Sequence, residues 1–522
     1  MTTDAYYDKY NEEIDEKNNI YKNNIDDWKL YGLSYKGGDE FIEYSLHKHD
    51  RESYANHVER QNEGICFNYS SAIIDLFNFY LTEKPSSREF EAITLRGRKN
   101  PKQDSDIKNR IKRSIGQFDK KDTQWLMFLQ DADLHNKNFD VFLNHTQKIA
   151  SIYGSAGILI SKPNVSYQTR AEEIKNRVYP FVTVFRLPDI YDWEFTRNIN
   201  SGRFELSYLK LKESDTEYLI WFKSKWERWQ KIENETKLID SGENPLGEIP
   251  FVWVPNITSL DSWYIGESDI KEISRISASI IRNISCGEEM LKFCGFPMLV
   301  LPKEAEGYDT DDGEEDQPSG PRAVLEKDPE YGTNGSPEWL EPQILDATEA
   351  NLAWTDRKVD EIYRIAHLSG VHGQRKSNNE VASGLALRYE FQQLNSVLLQ
   401  KAQNLSEAEL QVIKYWLKWQ NHGEMIDNIT VTRPKSFSVD ELALDIDNLF
   451  SAISEIPSEH FKKLALKHIS LQMLPDMKDA DIEKVTKEID KNAKLDKPEA
   501  QSASQKNDPK KKDDLKKIDK EE

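Results

Sequence analysis

Between Gly266 and Asn421, apolar residues recur at three- and four-residue spacing in three stretches, with two interruptions. In the first, Ile270, Ile273, Ile276, Ile280 and Ile284, with Ile281 beside them, line one face. Lys271, Glu272, Arg275, Ser279, Arg282 and Asn283 line the other. This pattern predicts an amphipathic helix from about Gly266 to Phe293. So narrow a β-branched stripe suits packing against a neighbouring helix more than burial in a globule. An acidic insert rich in Gly and Pro follows, from Phe296 to Asp346. Leu352, Val359, Ile362 and Ala366 then predict a second helix, about Ala347 to Leu368. After a polar loop, Leu387, Phe391, Leu394, Leu398, Leu405, Val412, Trp416 and Trp419 predict a third, about Val381 to Asn421. Unbroken, it runs about 60 Å at ~1.5 Å per residue. Ser406-Glu-Ala-Glu409 reads as a capping box and leaves two shorter helices as the alternative, but no Gly or Pro interrupts the body of the stretch.

Before Gly266 the period changes twice. Residues 1 to about 60 are rich in Asp, Glu, Asn, Lys and Tyr, with poor periodicity, and read as short helices or extended arms on a surface. Ile73, Ile74, Phe77 and Leu81 predict a helix over Asn68–Leu81, stopped by Pro85. Trp125, Leu126, Leu129, Leu134 and Phe139 repeat that spacing from Asp122 to Phe142, and helix continues to Tyr153. Gly154-Ser-Ala-Gly157 ends it, and Ile158-Leu-Ile160 reads as a short buried strand. From Tyr179 to Val254 apolar residues alternate, with polar or Gly-bearing breaks at 198–202, 213–216 and 241–242, which predicts a meander of antiparallel strands. Beyond the long helix, Asn428–Arg433 reads as a strand. Three further helices are expected at Val439–Ile453, Ser458–Met473 and Asp479–Ile489, before a polar tail from about Asn492. The fold class is α+β, mainly α.

Composition narrows the function. Ninety-one Asp and Glu against seventy Lys and Arg give a formal net charge of −21. A broad nucleic-acid grip needs Lys and Arg to neutralise phosphates and is disfavoured. A wall that lets a duplex slide past is not, because like charge prevents sticking. The three cysteines, Cys66, Cys286 and Cys294, have no C-x-x-C spacing, so neither a disulfide framework nor a zinc site is expected. The N-terminus carries no basic-then-apolar signal pattern, and no run reaches the ~18 apolar residues of a membrane span.

Three clusters offer candidate chemistry. The acidic run Glu304, Glu306, Asp309, Asp311, Asp312, Glu314, Glu315 and Asp316 invites a calcium reading. An EF-hand loop started at Asp309 puts Gly313 at the fifth position, which needs an oxygen ligand, so the pattern fails. A solvated loop tip or a partner-docking surface remains, and no metal or cofactor is expected. The basic cluster Arg96, Arg98, Lys99, Lys102, Lys108, Arg110, Lys112 and Arg113 suits a solvated surface, a nucleic acid, or an acidic neighbour. In the loop after Gly370, His372, Gln374, Arg375, Lys376, Asn378 and Asn379 can touch phosphates without reading bases. No P-loop, G-x-S-x-G or H-E-x-x-H motif is present, and His47 and His49 lack partners at ligand spacing.

This order of segments, with a set of short phrases, resembles the portal proteins of tailed double-stranded DNA bacteriophages. The phrases are Asn68-Tyr-Ser-Ser-Ala-Ile-Ile-Asp with Glu83-Lys-Pro85, Ile152-Tyr-Gly-Ser-Ala-Gly-Ile-Leu-Ile160, Leu246-Gly-Glu-Ile-Pro-Phe-Val, and Ser383-Gly-Leu-Ala-Leu-Arg-Tyr-Glu390. The resemblance spans roughly residues 60 to 430. It implies an α/β wing (1–260), a two-helix stem (261–295 and 347–370) and a small clip with short strands (296–346). A tunnel loop (371–380), a spine helix returning to the wing (381–435) and a helical crown (436–490) follow. It implies a ring, usually of twelve subunits, at one capsid vertex of the virion, assembled in the host cytoplasm. Implied partners are the large terminase, a head-tail adaptor, the major capsid protein and scaffold, and double-stranded DNA threading the channel without sequence specificity. The acidic run then falls in the clip, where motor and adaptor dock, and the loop around Arg375 projects into the channel. Ile273, Ile276, Ile280, Ile284, Val359 and Ile362 fill seams between and within subunits. The chain is not expected to be an enzyme. A metal-dependent nuclease built on the clustered carboxylates is one rival, and a non-ring scaffolding protein of coiled coil is the other. Carboxylates at a tip with little apolar support make a poor preorganised site, and the meander with twelve tryptophans does not suit a simple rod.

Overall fold

The computed structural model describes residues 14–50, 52–83, 86–90, 123–165, 167, 169–232, 235–295, 298–302, 324–327, 338–340, 345–368, 384–422, 429–434, 437, 455–456, 458–473 and 479–492. Four helices open it: α1 (Asn19–Lys36), α2 (Asp39–Ser45), α3 (Tyr54–Asn62) and α4 (Tyr69–Thr82). Strand β1 (Ser87–Phe90), α5 (Thr123–Gln130), α6 (Phe139–Tyr153), β2 (Ser155–Ser161), α7 (Arg170–Lys175) and β3 (Phe181–Arg186) follow. The β-rich part comprises β4 (Ile190–Arg197), β5 (Phe204–Lys212), β6 (Glu217–Phe222), β7 (Lys225–Ile232), β8 (Glu235–Glu243), β9 (Phe251–Pro255), β10 (Ile257–Thr258) and β11 (Gly266–Glu267). Then come α8 (Lys271–Gly295), β12 (Met298–Pro302), β13 (Val324–Lys327), β14 (Glu338–Leu340), α9 (Leu345–Ile365), α10 (Gly384–Trp419), β15 (Ile429–Thr432), α11 (Glu459–Met473) and α12 (Asp479–Asn492). The mixture of helix and sheet is α+β, as expected. Contacts divide the chain into two compact units, 1–437 and 438–522. Within the second, α11 and α12 pack against one another.

The expected meander resolves into two sheets. β4 to β8 form the five-stranded antiparallel meander in sequence order. The first and last strands of the alternating region leave it: β3 and β9 flank β2, so that Gly157 pairs with Phe185 on one side and Trp253 on the other. The residues of this three-stranded sheet divide by face with the period of two that a pleat imposes. Ala156, Ile158, Ile160, Val252 and Val254 join one core cluster, whereas Leu159, Phe251 and Trp253 join the other. Burial on both faces is why Val252-Trp253-Val254 reads as a continuous apolar run rather than an alternation.

Several sequence expectations are corrected. The N-terminal region is helical, one of the two readings the sequence offers, but it does not lie on the surface, because Tyr21, Trp28, Tyr31, Phe41, Ile42 and Leu46 are buried in the larger core. Tyr21, Trp28 and Tyr31 share one face of α1 at helical spacing, whereas Phe41 and Ile42 belong to the separate short helix α2, so no single period runs through the region. The helix expected through Asp122–Phe142 is two helices. Between them Asp131 accepts from the Asn136 amide (2.8 Å) and Asp133 from the His135 amide (2.9 Å), while Leu134 and Asn136 take positive φ. Such side-chain acceptors compete with helical hydrogen bonds. Helix α8 starts at Lys271 rather than Gly266, because Gly266 and Glu267 pair with Thr258 and Ile257 as a short ribbon. The long helix is single: α10 runs 36 residues without interruption at Ser406. The strand at 429–432 has a partner not foreseen, β1. The helix expected at Val439–Ile453, the tail and the basic cluster lie outside the described residues.

Candidate functional site

Helices α8 and α9 lie antiparallel. Lys358 donates to Ser279 Oγ (2.7 Å), Asn283 Nδ2 to Thr355 Oγ1 (3.3 Å) and Asn351 Nδ2 to the Asn283 carbonyl (2.8 Å). Partner numbers thus fall along α9 as they rise along α8. Burial lowers the pKa of Lys358, and the nearby Arg282 lowers it further. The chain between the two helices carries a small sheet of order β13-β12-β14, with β12 parallel to β13 and antiparallel to β14.

The isoleucine stripe of α8 is used inside the chain. Ile273, Ile280 and Ile281 are buried, as is Ile362 on α9, while Ile276, Ile284 and Val359 pack against the same core half-buried. The faces of α1, α2, α4 and α9 that meet α8 supply that core. At these buried positions the neighbouring helices are those of the same chain, α9 and the N-terminal α1, α2 and α4. The pair leaves other groups to solvent. Leu352 is 63% exposed, Trp354 55% and Leu291 58%.

Where α8 begins, the chain is held by a polar junction (Gln147, Ser151, Asn256, Asp269, Lys401 and Asn404). Helix α6 ends at Gly154 with φ of +93°, a conformation that favours glycine. A Cβ there would sit 2.4 Å from the Gly266 carbonyl oxygen. The turn accepts the lead-in to α8: Gly266 N donates to Ser155 Oγ (2.8 Å), Ser268 Oγ to the Ile152 carbonyl (2.6 Å), and Asp269 N to the Ser151 carbonyl (3.0 Å). Asn256 sits at its centre. Its side-chain oxygen accepts from Gln147 (3.0 Å) and Ser151 (3.2 Å), and its amide nitrogen donates to Asp269 (2.9 Å) and the Glu267 carbonyl (3.1 Å).

Helix α10 enters this junction through Lys401 and Asn404. Asn404 Nδ2 donates to the Asn256 carbonyl (3.0 Å), and Lys401, fully buried, pairs with the equally buried Asp269. The Lys401 ammonium also lies 4.6 Å from the Phe77 ring centroid. Burial lowers the Lys401 pKa, with Asp269 acting in the opposite direction. Further along, Glu409 is buried and accepts from Arg88 (2.5 Å), Arg433 (2.6 Å) and Ser86 (2.9 Å), which ties β1 and β15 to the helix. Trp416 is fully buried, 5.0 Å from Trp125 between ring centroids, and donates to the Pro180 carbonyl (3.2 Å). No spacing in the sequence marks Asn256, Asp269 or Lys401, and Glu409 is marked only as the end of an apparent capping box. Their partners lie a hundred or more residues away in most cases, and Asp269 falls inside the helix expected from Gly266, so nothing local sets it apart.

The candidate loop residues His372, Gln374, Arg375, Lys376, Asn378 and Asn379 lie outside the described residues, between the end of α9 and Gly384 of α10. So do Glu304, Glu306, Asp309, Asp311, Asp312, Glu314, Glu315 and Asp316, which fall in the connection from β12 to β13. His47 and His49 are exposed. Among the described residues no group of three His, Cys, Asp or Glu side chains is placed to hold a metal ion, and no helix is long and apolar enough to cross a membrane.

No protein-family profile matches the chain, and no curated protein matches it. Among solved structures, a chain in the virion of a native gene transfer agent (GTA) particle aligns with a TM-score of 0.40 at 11% identity, covering 78% of this chain and 92% of that one. A chain in the neck of an empty GTA particle, computed with C6 symmetry, aligns with a TM-score of 0.39 at 10% identity, covering 76% and 89%. Similarity at this level assigns the chain to no family.

Proposed function

We propose that this chain is a portal-type ring subunit, a conduit for double-stranded DNA at one capsid vertex. One observation carries it: two antiparallel helices, α8 and α9, have a small sheet between them in sequence, and the chain then runs through the 369–383 segment into a 36-residue helix that returns to the β2-β3-β9 sheet. Together with the four sequence phrases, that order supports a stem, clip, tunnel loop and spine in the sense of the portal family. Residues 304–316 then offer docking carboxylates to the packaging motor and later to a tail adaptor. Arg375 and Lys376 make transient phosphate contacts in the lumen, while the capsid protein and scaffold meet the outside of the ring. Head-to-tail contacts close the ring because a heterologous interface with the right rotation is cyclic, with twelve copies as the expected number. A lumen as acidic as the chain as a whole, at −21, keeps the duplex from adhering.

The test is the mass and image of the purified assembly. Rings with a central channel are expected by native mass spectrometry and electron microscopy. Monomers and dimers alone, at high concentration and with scaffold protein present, overturn the proposal.

A further inference from the structure

Between the meander and α10 lies a cleft of about 260 Å³. Phe195, Phe204, Trp253, Trp263 and Tyr415 give it aromatic walls, and Glu205, Glu248 and Glu407 give it carboxylates, with no Lys or Arg among the lining residues. Lys223 pairs with Glu205 (2.8 Å), and Lys418 pairs with Glu248. Glu407 is exposed at the mouth and has no ion pair among the described residues. Trp253 is 8% exposed, and its indole nitrogen has no acceptor among them. Phe204, at 61% exposed, and Trp263, at 58%, stand open at the rim. Aromatic faces beside an unpaired carboxylate form a seat for a guanidinium or ammonium group on an otherwise apolar stem.

We infer that this cleft seats the chain's own basic segment, residues 91–122, with an Arg or Lys side chain held between the aromatic walls and Glu407. That segment contains ten Lys and Arg against five Asp and Glu, in a chain whose overall balance is −21. Both of its ends are fixed beside α10. Just before it, Arg88 of β1 is bonded to Glu409; just after it, Trp125 packs on Trp416. The cleft is built on Asn404, Glu407, Ala408, Gln411 and Tyr415 of the same helix. At about 100° per residue these lie roughly a third of a turn round from Glu409 and Trp416. Anchoring at both ends keeps the segment's effective concentration at the cleft high, which favours it over a second molecule. The inference does not depend on ring assembly.

A photo-crosslinking residue placed at Gln411, which is exposed at the cleft, reads out the occupant in the full-length protein. Light and heavy isotopic preparations are mixed before irradiation. Crosslinks from position 411 to peptides within 91–122 of the same isotope are expected. Glu407→Gln should lower their yield by roughly two- to fivefold, the worth of one exposed ion pair, while the distant exposed control Glu43→Gln leaves it unchanged. Crosslinks of mixed isotope, which identify a second copy, overturn the inference, as do crosslinks that avoid 91–122 or a yield that Glu407→Gln does not change.

Discussion

Lys401, near the middle of α10, reaches the carboxylate of Asp269, two residues before α8, and both side chains are out of solvent. The pair joins the longest helix to the start of the one that packs on the N-terminal helices. Removing one partner leaves the other charged and buried, which costs about 3–5 kcal/mol. Lys401→Met and Asp269→Asn are each expected to lower the unfolding free energy by that order, read as a fall in the urea midpoint. The double variant should lose less than the sum of the two, because neither charge is then stranded. Urea titrations of the four proteins check this, and strict additivity counts against the pairing.

A second ion pair sets an acid limit. Glu52 is bonded to Arg60 through Nε (2.7 Å) and Nη2 (2.8 Å), and Arg60 reaches Ser285 of α8 (3.4 Å). The Arg60 bonds, against some desolvation, hold the Glu52 carboxyl down at about 2 from an ordinary 4.5. A depressed carboxylate stabilises the fold above its unfolded pKa, and that contribution disappears as pH falls toward the folded value. Thermal melts of wild type and Glu52→Gln are expected to differ most near neutral pH and to converge between pH 4.5 and 2. A gap that widens on acidification would falsify the assignment.

The outward side of α8 and α9 is the place to test contacts between copies. Leu352 and Trp354 are exposed although their helix is amphipathic, and Arg357 lies over the Trp354 ring at 5.7 Å. With Ile273, Ile280 and Ile281 buried internally, Leu352 and Trp354 are, with Leu291, the exposed large apolar groups of the pair among the described residues. Leu352→Glu with Trp354→Glu is expected to abolish rings in electron micrographs while shifting the melting temperature of the monomer by no more than a few degrees, as surface substitutions do. Intact rings remove the assigned interface.

The proposed channel contacts have a separate readout. Arg375→Ala with Lys376→Ala is expected to leave ring assembly unchanged and to reduce the length or retention of packaged DNA. Because such contacts are made to phosphates, the defect should be independent of sequence. Packaging indistinguishable from wild type argues against the loop's role.

Long helices were the most legible part of the chain. Leu394, Leu398, Leu405, Val412 and Trp416 keep one face over many turns, and all five are buried. Hairpin strands between 190 and 243 were legible for the same reason, a regular period broken by turn residues. What stayed hidden depends on partners remote in sequence. Whether β3 and β9 belong with the meander or with β2 cannot be told from alternation, since both sheets impose a period of two. Gly157 is a case in point: the sequence offers it as a helix stop, whereas in the sheet it leaves room for Phe251, whose ring would lie 2.1 Å from an added Cβ. Of the candidate site, the helices that frame the loops were foreseen. The buried charges that fix their relative position were not, because Asp269 and Lys401 look like two ordinary surface residues until the fold removes their water.

The unbroken span of α10 has a mechanical consequence. A helix of 36 residues is about 54 Å long at ~1.5 Å per residue and resists compression along its axis. It is held by buried Leu394 and Leu398 before its midpoint, by Lys401 near it and by Glu409 and Trp416 beyond, so it acts as one stiff strut set into the core. Load carried along it reaches the Asn256 junction through Lys401 and Asn404.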